Sequence, residues 1–290
     1  MKNKATLFDY INTIILLFIS IICLYPFVYI FVQSISDGRA VVAGQVNIIP
    51  KGINFETYKY VFTQKNLYIF QGLLNSFLYT VFGTIVAVLS TYITAYVLTR
   101  KQFVGRYFIM RLFVISWVFE AGIIPAYIVL SKLGFVNNPL VMIIPGAIIV
   151  QFLIICKTFL EGLPYELEEA AYIDGATDFQ IMYRVYLPLT KPIIVTIGTF
   201  YAITIWNQYL MPLIYLQDQK YTTIQLVLKK LVISSGAQNT TFKTVIHNGI
   251  MLNPGNLKAT AIFLAMAPII FIYPLVQKHI KAGILEGSIK

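Results

Sequence analysis

Half of the carboxylates in this chain fall in one short stretch. Of the twelve Asp and Glu residues among 290, Glu161, Glu166, Glu168, Glu169, Asp174 and Asp178 lie between positions 161 and 178. A chain that is 58% hydrophobic has no solvation reason to concentrate its acids there, so the stretch reads as a surface that another molecule recognises. The chemistry is docking, not catalysis. There is no carboxylate dyad, no nucleophile–base pair and no Gly-x-x-x-x-Gly-Lys-Ser/Thr loop to cradle nucleotide phosphates. Cys23 and Cys156 sit far apart in apolar runs, and His247 and His279 are too few and too separated. Neither a disulfide framework nor a metal site is expected.

The acids must be held by a helix, a break and a second helix. Pro164 suits a first helical position, where its missing N–H costs nothing. Glu166, Glu168 and Glu169 then fall in the early turns, where the helix dipole favours negative charge. Leu167, Ala170, Ala171 and Asp174 share one face by their spacing, and the two alanines keep that face thin enough for a close approach. Gly175 supplies the left-handed residue that ends many helices. Thr177 with Gln180 matches a capping box that starts the second helix. Phe179, Met182, Tyr183 and Tyr186 recur at helical spacing before Pro188 stops the run. The exposed side is expected to face water. An amphipathic connector lying on a membrane surface is the competing reading.

Glu169-Ala170-Ala171, Asp174-Gly175-Ala176, Leu187-Pro188-Leu189 and Pro192 resemble the "EAA" signature of the membrane subunits of binding-protein-dependent ABC importers. Tyr25-Pro26-Phe27, Trp206 to Tyr209, Pro212-Leu213 and Val276-Gln277-Lys278 extend the likeness to the carbohydrate branch, the MalG-like and LplC-like permeases. The resemblance implies that the loop docks on a cytosolic ATPase and passes its closure to the pore. Glu169, Ala170, Ala171, Asp174, Gly175, Ala176, Phe179, Tyr183 and Pro188 are the coupling residues it implies. It further implies a second permease subunit forming a heterodimeric pore, an ATPase dimer that binds ATP and Mg, an extracytoplasmic solute-binding protein, and a carbohydrate cargo. No cofactor is expected on this chain itself. The implied location is the bacterial cytoplasmic membrane, with multiple spans and both termini cytosolic.

Composition agrees with a bilayer setting. Only 12% of residues are charged, roughly half the 25% usual in soluble domains, and mean hydropathy is +0.75. The net charge of +10 does not call for nucleic acid, because Lys and Arg flank the apolar runs, where anionic lipid heads attract them. An all-α membrane domain covering 1–290 is expected, with spans at about 11–33, 73–98, 107–130, 140–156, 193–215 and 259–276 and a coupling loop at 161–190. The first run is longer than a signal peptide's apolar region and lacks a cleavage site. Polar loops are expected at 34–70, with short helices around Phe55 to Phe62, and at 216–257. Arg100, Lys101, Arg106 and Arg111 form the densest basic cluster, against Lys132 alone in the opposing short loop. That asymmetry places the cluster and the coupling loop in the cytosol.

Trp206, Asn207, Gln208 and Tyr209 are the pathway candidates, since a ring and amides at one depth meet both the C–H faces and the hydroxyls of a sugar. Tyr201, a turn or so earlier, would extend the stripe. An interfacial aromatic belt explains the same residues. Glu120 lies within the third run, where an unpaired carboxylate costs at least about 2.5 kcal/mol. The helix ending earlier, beside Gly122 and Pro125, would place it in an outward vestibule instead. Asn75 and Gln151 read as helix–helix hydrogen-bonding residues. The Asn239-Thr240-Thr241 sequon is discounted. An ion-coupled secondary transporter is the alternative, but it wants paired intramembrane acids and only Glu120 is available.

Overall fold

The structure is a computed structural model that describes residues 6–233, 244–247 and 250–288. Lys2, Lys4 and the Asn239-Thr240-Thr241 sequon lie outside the described residues, as do the side chains of Val276 to His279. In chain order the helices are α1 (Leu7–Ser34), α2 (Gly38–Val42), α3 (Glu56–Thr63), α4 (Ile69–Thr99), α5 (Arg106–Val118), α6 (Ile123–Lys132) and α7 (Val150–Glu161). They continue as α8 (Glu166–Ile173), α9 (Asp178–Leu189), α10 (Lys191–Asn207), α11 (Leu210–Tyr215), α12 (Ile224–Ile233) and α13 (Pro254–Ser288). A two-stranded antiparallel ribbon, β1 (Val245–His247) and β2 (Ile250–Leu252), precedes α13 with Ile246 opposite Met251.

Among the described residues, three helices are long and apolar enough to cross a bilayer unaided: α1, α4 and the Pro254–Ile272 part of α13. The count rises to five if each of two sharply bent pairs is taken as one span. The 107–130 run is one of these pairs, because α5 and α6 meet at 119°. The break holds Glu120, which is exposed, and Gly122 at φ +80°. Only glycine enters that region at no steric cost, and Pro125 then sits in the first turn of α6. The 140–156 run is no single helix. Pro139–Met142 makes a 3₁₀ turn, irregular backbone follows through Pro145 and Gly146, and α7 starts only at Val150. Proline lacks the N–H that a continuous helix would need there. The 193–215 run likewise breaks after Asn207 and resumes at Leu210.

The chain divides into two compact units. One joins the segment up to Phe70 with Val227–Pro268. There Asn256, fully buried, donates from Nδ2 to the carbonyls of Gln33 (3.0 Å) and Ser36 (2.9 Å). Asn253 donates to the carbonyl of Gly38 at 2.6 Å, while its Oδ1 accepts from the backbone N–H groups of Gly255 and Asn256 and so caps α13. None of the apolar window of α1 is buried in this unit, so its side chains require lipid or another subunit as solvent.

The other unit runs through Gln71–Leu226 and takes up the chain again from Ile269. Its main core gathers Tyr92, Ala95 and Tyr96 of α4, Leu153, Cys156 and Leu160 of α7, and Ile193 and Ile197 of α10. Asn75, expected to bond another helix, instead donates to the carbonyls of Lys220 (2.9 Å) and Thr222 (2.8 Å). Ser76 Oγ accepts from Ile224 N–H at 2.9 Å. Gly72 makes this approach possible, since a Cβ there would lie 3.0 Å from the Ile224 nitrogen. The beginning of the 216–257 segment is therefore clamped to α4, not a free polar loop.

Candidate functional site

The acidic stretch folds as α8, a glycine turn and α9. Tyr165 is the N-cap of α8, so Pro164 stands just outside the helix and not at its first position. Asp174 ends α8 and Gly175 follows at φ +76°. The Ala176 N–H then bonds the Ala171 carbonyl at 3.0 Å, which closes the helix end. The capping box forms: Gln180 Oε1 accepts from Thr177 N–H at 2.8 Å, and Thr177 Oγ1 accepts from Gln180 N–H at 3.4 Å.

Inside α9, Ile181–Tyr186 is wound as a π-helix. The wider turn breaks the regular register, which the spacing did not foretell, and π segments recur at functional sites. The expected stripe consequently splits. Tyr186 is buried and the Met182 carbonyl accepts from Tyr92 OH at 2.9 Å, whereas Phe179 and Tyr183 face outward with their rings 5.4 Å apart. Past Leu189 the chain turns by 81° into α10, so α9 runs across the direction of that helix.

The carboxylates divide too. Glu169, Asp174 and Asp178 are exposed, but Glu168 is 2% exposed and ion-paired to Arg100. Tyr186 OH donates to the same carboxylate oxygen at 3.0 Å. The Arg100 guanidinium lies 4.2 Å from the Tyr96 ring centre and 4.7 Å from that of Tyr186, and it donates to Thr99 Oγ1 at 3.0 Å. Tyr96 OH also donates to the Asp178 carbonyl at 3.1 Å. A buried charge needs this degree of pairing and hydrogen bonding to persist. Glu168 is thus an anchor that ties α8 to the end of α4, not part of the surface on offer. Sequence reasoning missed the anchor because Arg100 lies 68 positions away; its place directly after an apolar run was the one available signal.

Tyr172 OH donates to the Asp178 carboxylate across the glycine turn, and this bond, with some burial, holds the phenol above its ordinary pKa. Ala171 and Ala176 turn inward to the core while Ala170 stays exposed, so the thin alanine face is shared between inside and outside. Pro188 is exposed in the last turn of α9. Of the large apolar side chains on the loop, the most exposed are Ile173 at 86% and Phe179 at 67%.

Residues 73–286 match the family described as binding-protein-dependent transport system inner membrane component. The chain belongs to that family. It is a permease subunit of an importer and not an enzyme; ATP hydrolysis is the work of the partner ATPase. It is 36% identical over 291 residues to the polygalacturonan/rhamnogalacturonan transport system permease protein YtcP of Bacillus subtilis, covering 100% of both chains. It is 36% identical over 288 residues to Protein LplC of the same organism, covering 99% of this chain and 96% of that one. Among solved structures it resembles a chain of a bacterial ABC transporter involved in the import of the acidic polysaccharide alginate. That likeness has a TM-score of 0.86 and 29% identity, over 96% of this chain and 99% of the other.

The pathway candidates separate as well. Tyr209 (44% exposed) and Asn207 are on the surface, the latter donating to the Ile203 carbonyl at 2.9 Å. Trp206 is 6% exposed. Tyr201 is fully buried and does not extend a stripe; its hydroxyl bonds Thr91 Oγ1 at 2.6 Å and accepts from Ile149 N–H at 2.9 Å. It ties α4 and α10 to the irregular backbone before α7. Tyr201→Phe should leave the Ile149 N–H unsatisfied and cost about 1–3 kcal/mol. A lowered melting temperature with unchanged cargo selectivity would check that role.

Proposed function

We propose that this chain is one half of the pore of an ATP-driven carbohydrate importer, and that its 161–190 loop docks on a cytosolic ATPase. The observation that carries the reading is apolar exposure on a charged loop: Ile173 and Phe179 project from α8 and α9 beside Glu169 and Asp174. Burying such groups against a partner is favourable, and exposed aromatics flanked by polar groups mark interfaces. The buried Glu168–Arg100 pair gives the loop a rigid footing, so force applied at Ile173 and Phe179 reaches α4 without being lost in slack.

Six spans follow if the 139–161 segment is counted with α1, α4, the α5–α6 pair, the α10–α11 pair and α13. An even number puts both termini on one side. Arg100 bonds Glu168, so the basic cluster and the loop share a membrane face, and the bias of Lys and Arg makes that face cytosolic. The partners are then a second permease subunit, an ATPase pair holding ATP and Mg, and an external solute-binding protein. This chain holds no cofactor of its own. Closure of the ATPases draws Glu169 to Pro188 inward, and the spans open outward around Trp206, Asn207 and Tyr209 to take the cargo. The carbohydrate class is supported by the relative YtcP, whose name specifies polygalacturonan and rhamnogalacturonan, and by the alginate importer.

Uptake of labelled oligosaccharide into proteoliposomes separates this reading from ion coupling. Import should need enclosed ATP and the binding protein, survive collapse of ion gradients, and be abolished by Glu169→Lys. Transport driven by an ion gradient in the absence of any ATPase would overturn it.

A further inference from the structure

Beneath the anchor lies a cavity of about 340 Å³ lined by Arg100, Lys101, Arg106, Lys157, Glu161 and Glu168 among others. Four cations face two carboxylates, and both carboxylates are taken: Glu168 by Arg100, and Glu161 by Lys157 at 2.5 Å. Among the described residues Lys101 and Arg106 have no carboxylate partner. The Lys101 ammonium lies 4.4 Å from the centre of the Tyr165 ring. Arg106 donates to Tyr107 OH at 2.9 Å and stacks on that ring at 4.6 Å. Aromatic faces orient these cations but do not neutralise them. The cavity therefore carries an excess of two positive charges on an ammonium and a guanidinium, the pair of groups best suited to phosphate oxygens.

Its position names the source of the phosphate. Thr99 ends the apolar α4 and Arg106 starts the apolar α5, so the cavity lies where both helices leave hydrocarbon. Tyr107, 66% exposed, stands at its rim on α5. Such rings favour the level of the lipid headgroups. We propose that this cavity binds the phosphate of an anionic phospholipid, with Lys101 and Arg106 supplying the charge and Tyr107 lying along the acyl chains. The bound lipid would bridge the short α4–α5 turn to the base of α8, beside the Glu168 anchor. Free inorganic phosphate offers the same oxygens without the chains.

The test uses the purified, delipidated importer complex and native mass spectrometry. Phosphatidylglycerol should be retained about thirtyfold better than phosphatidylcholine, the combined effect of two interfacial cations. Lys101→Gln with Arg106→Gln should bring the two lipids to parity, while Arg111→Gln, outside the cavity, keeps the preference. If the double variant does not assemble, Lys101→Gln alone should cut the preference about fivefold. Equal retention of the two lipids by the unaltered complex, or a preference that survives the substitutions, overturns the proposal. Inorganic phosphate matching phosphatidylglycerol in raising the melting temperature, in a manner lost in the double variant, would overturn the lipid as source.

Discussion

Glu168→Ala is expected to be the most destabilising change in the loop, costing about 3–5 kcal/mol, because it strands the Arg100 guanidinium in a site that is 11% exposed. The apparent melting temperature of the purified chain should fall by roughly 10 °C. Two further variants separate lost charge from lost packing. Glu168→Gln keeps an acceptor for Tyr186 OH but leaves the cation uncompensated, so it should recover only part of the loss. Replacing both partners, as Arg100→Met with Glu168→Met, should recover most of it, since a buried ion pair exchanged for apolar groups of similar size is often neutral. A double variant as unstable as the single one would mean that the rings of Tyr96 and Tyr186, not the opposite charge, hold the guanidinium. The neighbouring Glu169→Ala, on an exposed position, should stay within about 0.5 kcal/mol of the unaltered chain. Adjacent carboxylates thus play opposite parts, one turned to the core and the other to solvent.

Local chemistry of this kind was open to reading in the sequence, and long-range pairing was not. Gly175, Thr177 and Gln180 act on backbone within a few residues, so their turn and cap could be named from spacing alone. The apolar runs of α1 and α4 likewise declared themselves, because bilayer-length helices need only local composition. Composition says nothing of direction. The 119° bend at Gly122 and the broken 140–156 run hang on single glycines and prolines, which mark a break in a helix but not the angle it takes. Asn75 looked like an intramembrane bonding residue because its partners, the carbonyls of Lys220 and Thr222, lie some 145 positions downstream. Glu168 was hidden for the same reason, since six clustered acids look alike until one finds its cation. Tyr201 was misplaced because helical spacing sets a face but not what covers it. Ile173 carries no signal in the sequence. An isolated apolar residue is unremarkable until its neighbours are seen to leave it bare.

Ile173→Asp with Phe179→Asp is expected to weaken binding of the ATPase at least about a hundredfold while leaving the melting temperature of the permease unchanged. Each side chain already stands in solvent, so the folded chain loses almost nothing when it becomes polar. Docking is different, because burying each group fully should stabilise the complex by about 1.5–3 kcal/mol, and interfaces concentrate their energy on such anchors. The two lie on either side of the glycine turn, Ile173 ending α8 and Phe179 opening α9, so Gly175 at its positive φ sets how one is placed relative to the other. Binding measured between purified ATPase and the detergent-solubilised permease would check this, with Phe179→Leu as a milder partner that keeps most of the apolar area. Unchanged binding in the double variant would move the docking surface elsewhere. Intact affinity with a lowered melting temperature would instead make Ile173 and Phe179 packing residues, leaving the coupling role to the exposed carboxylates alone.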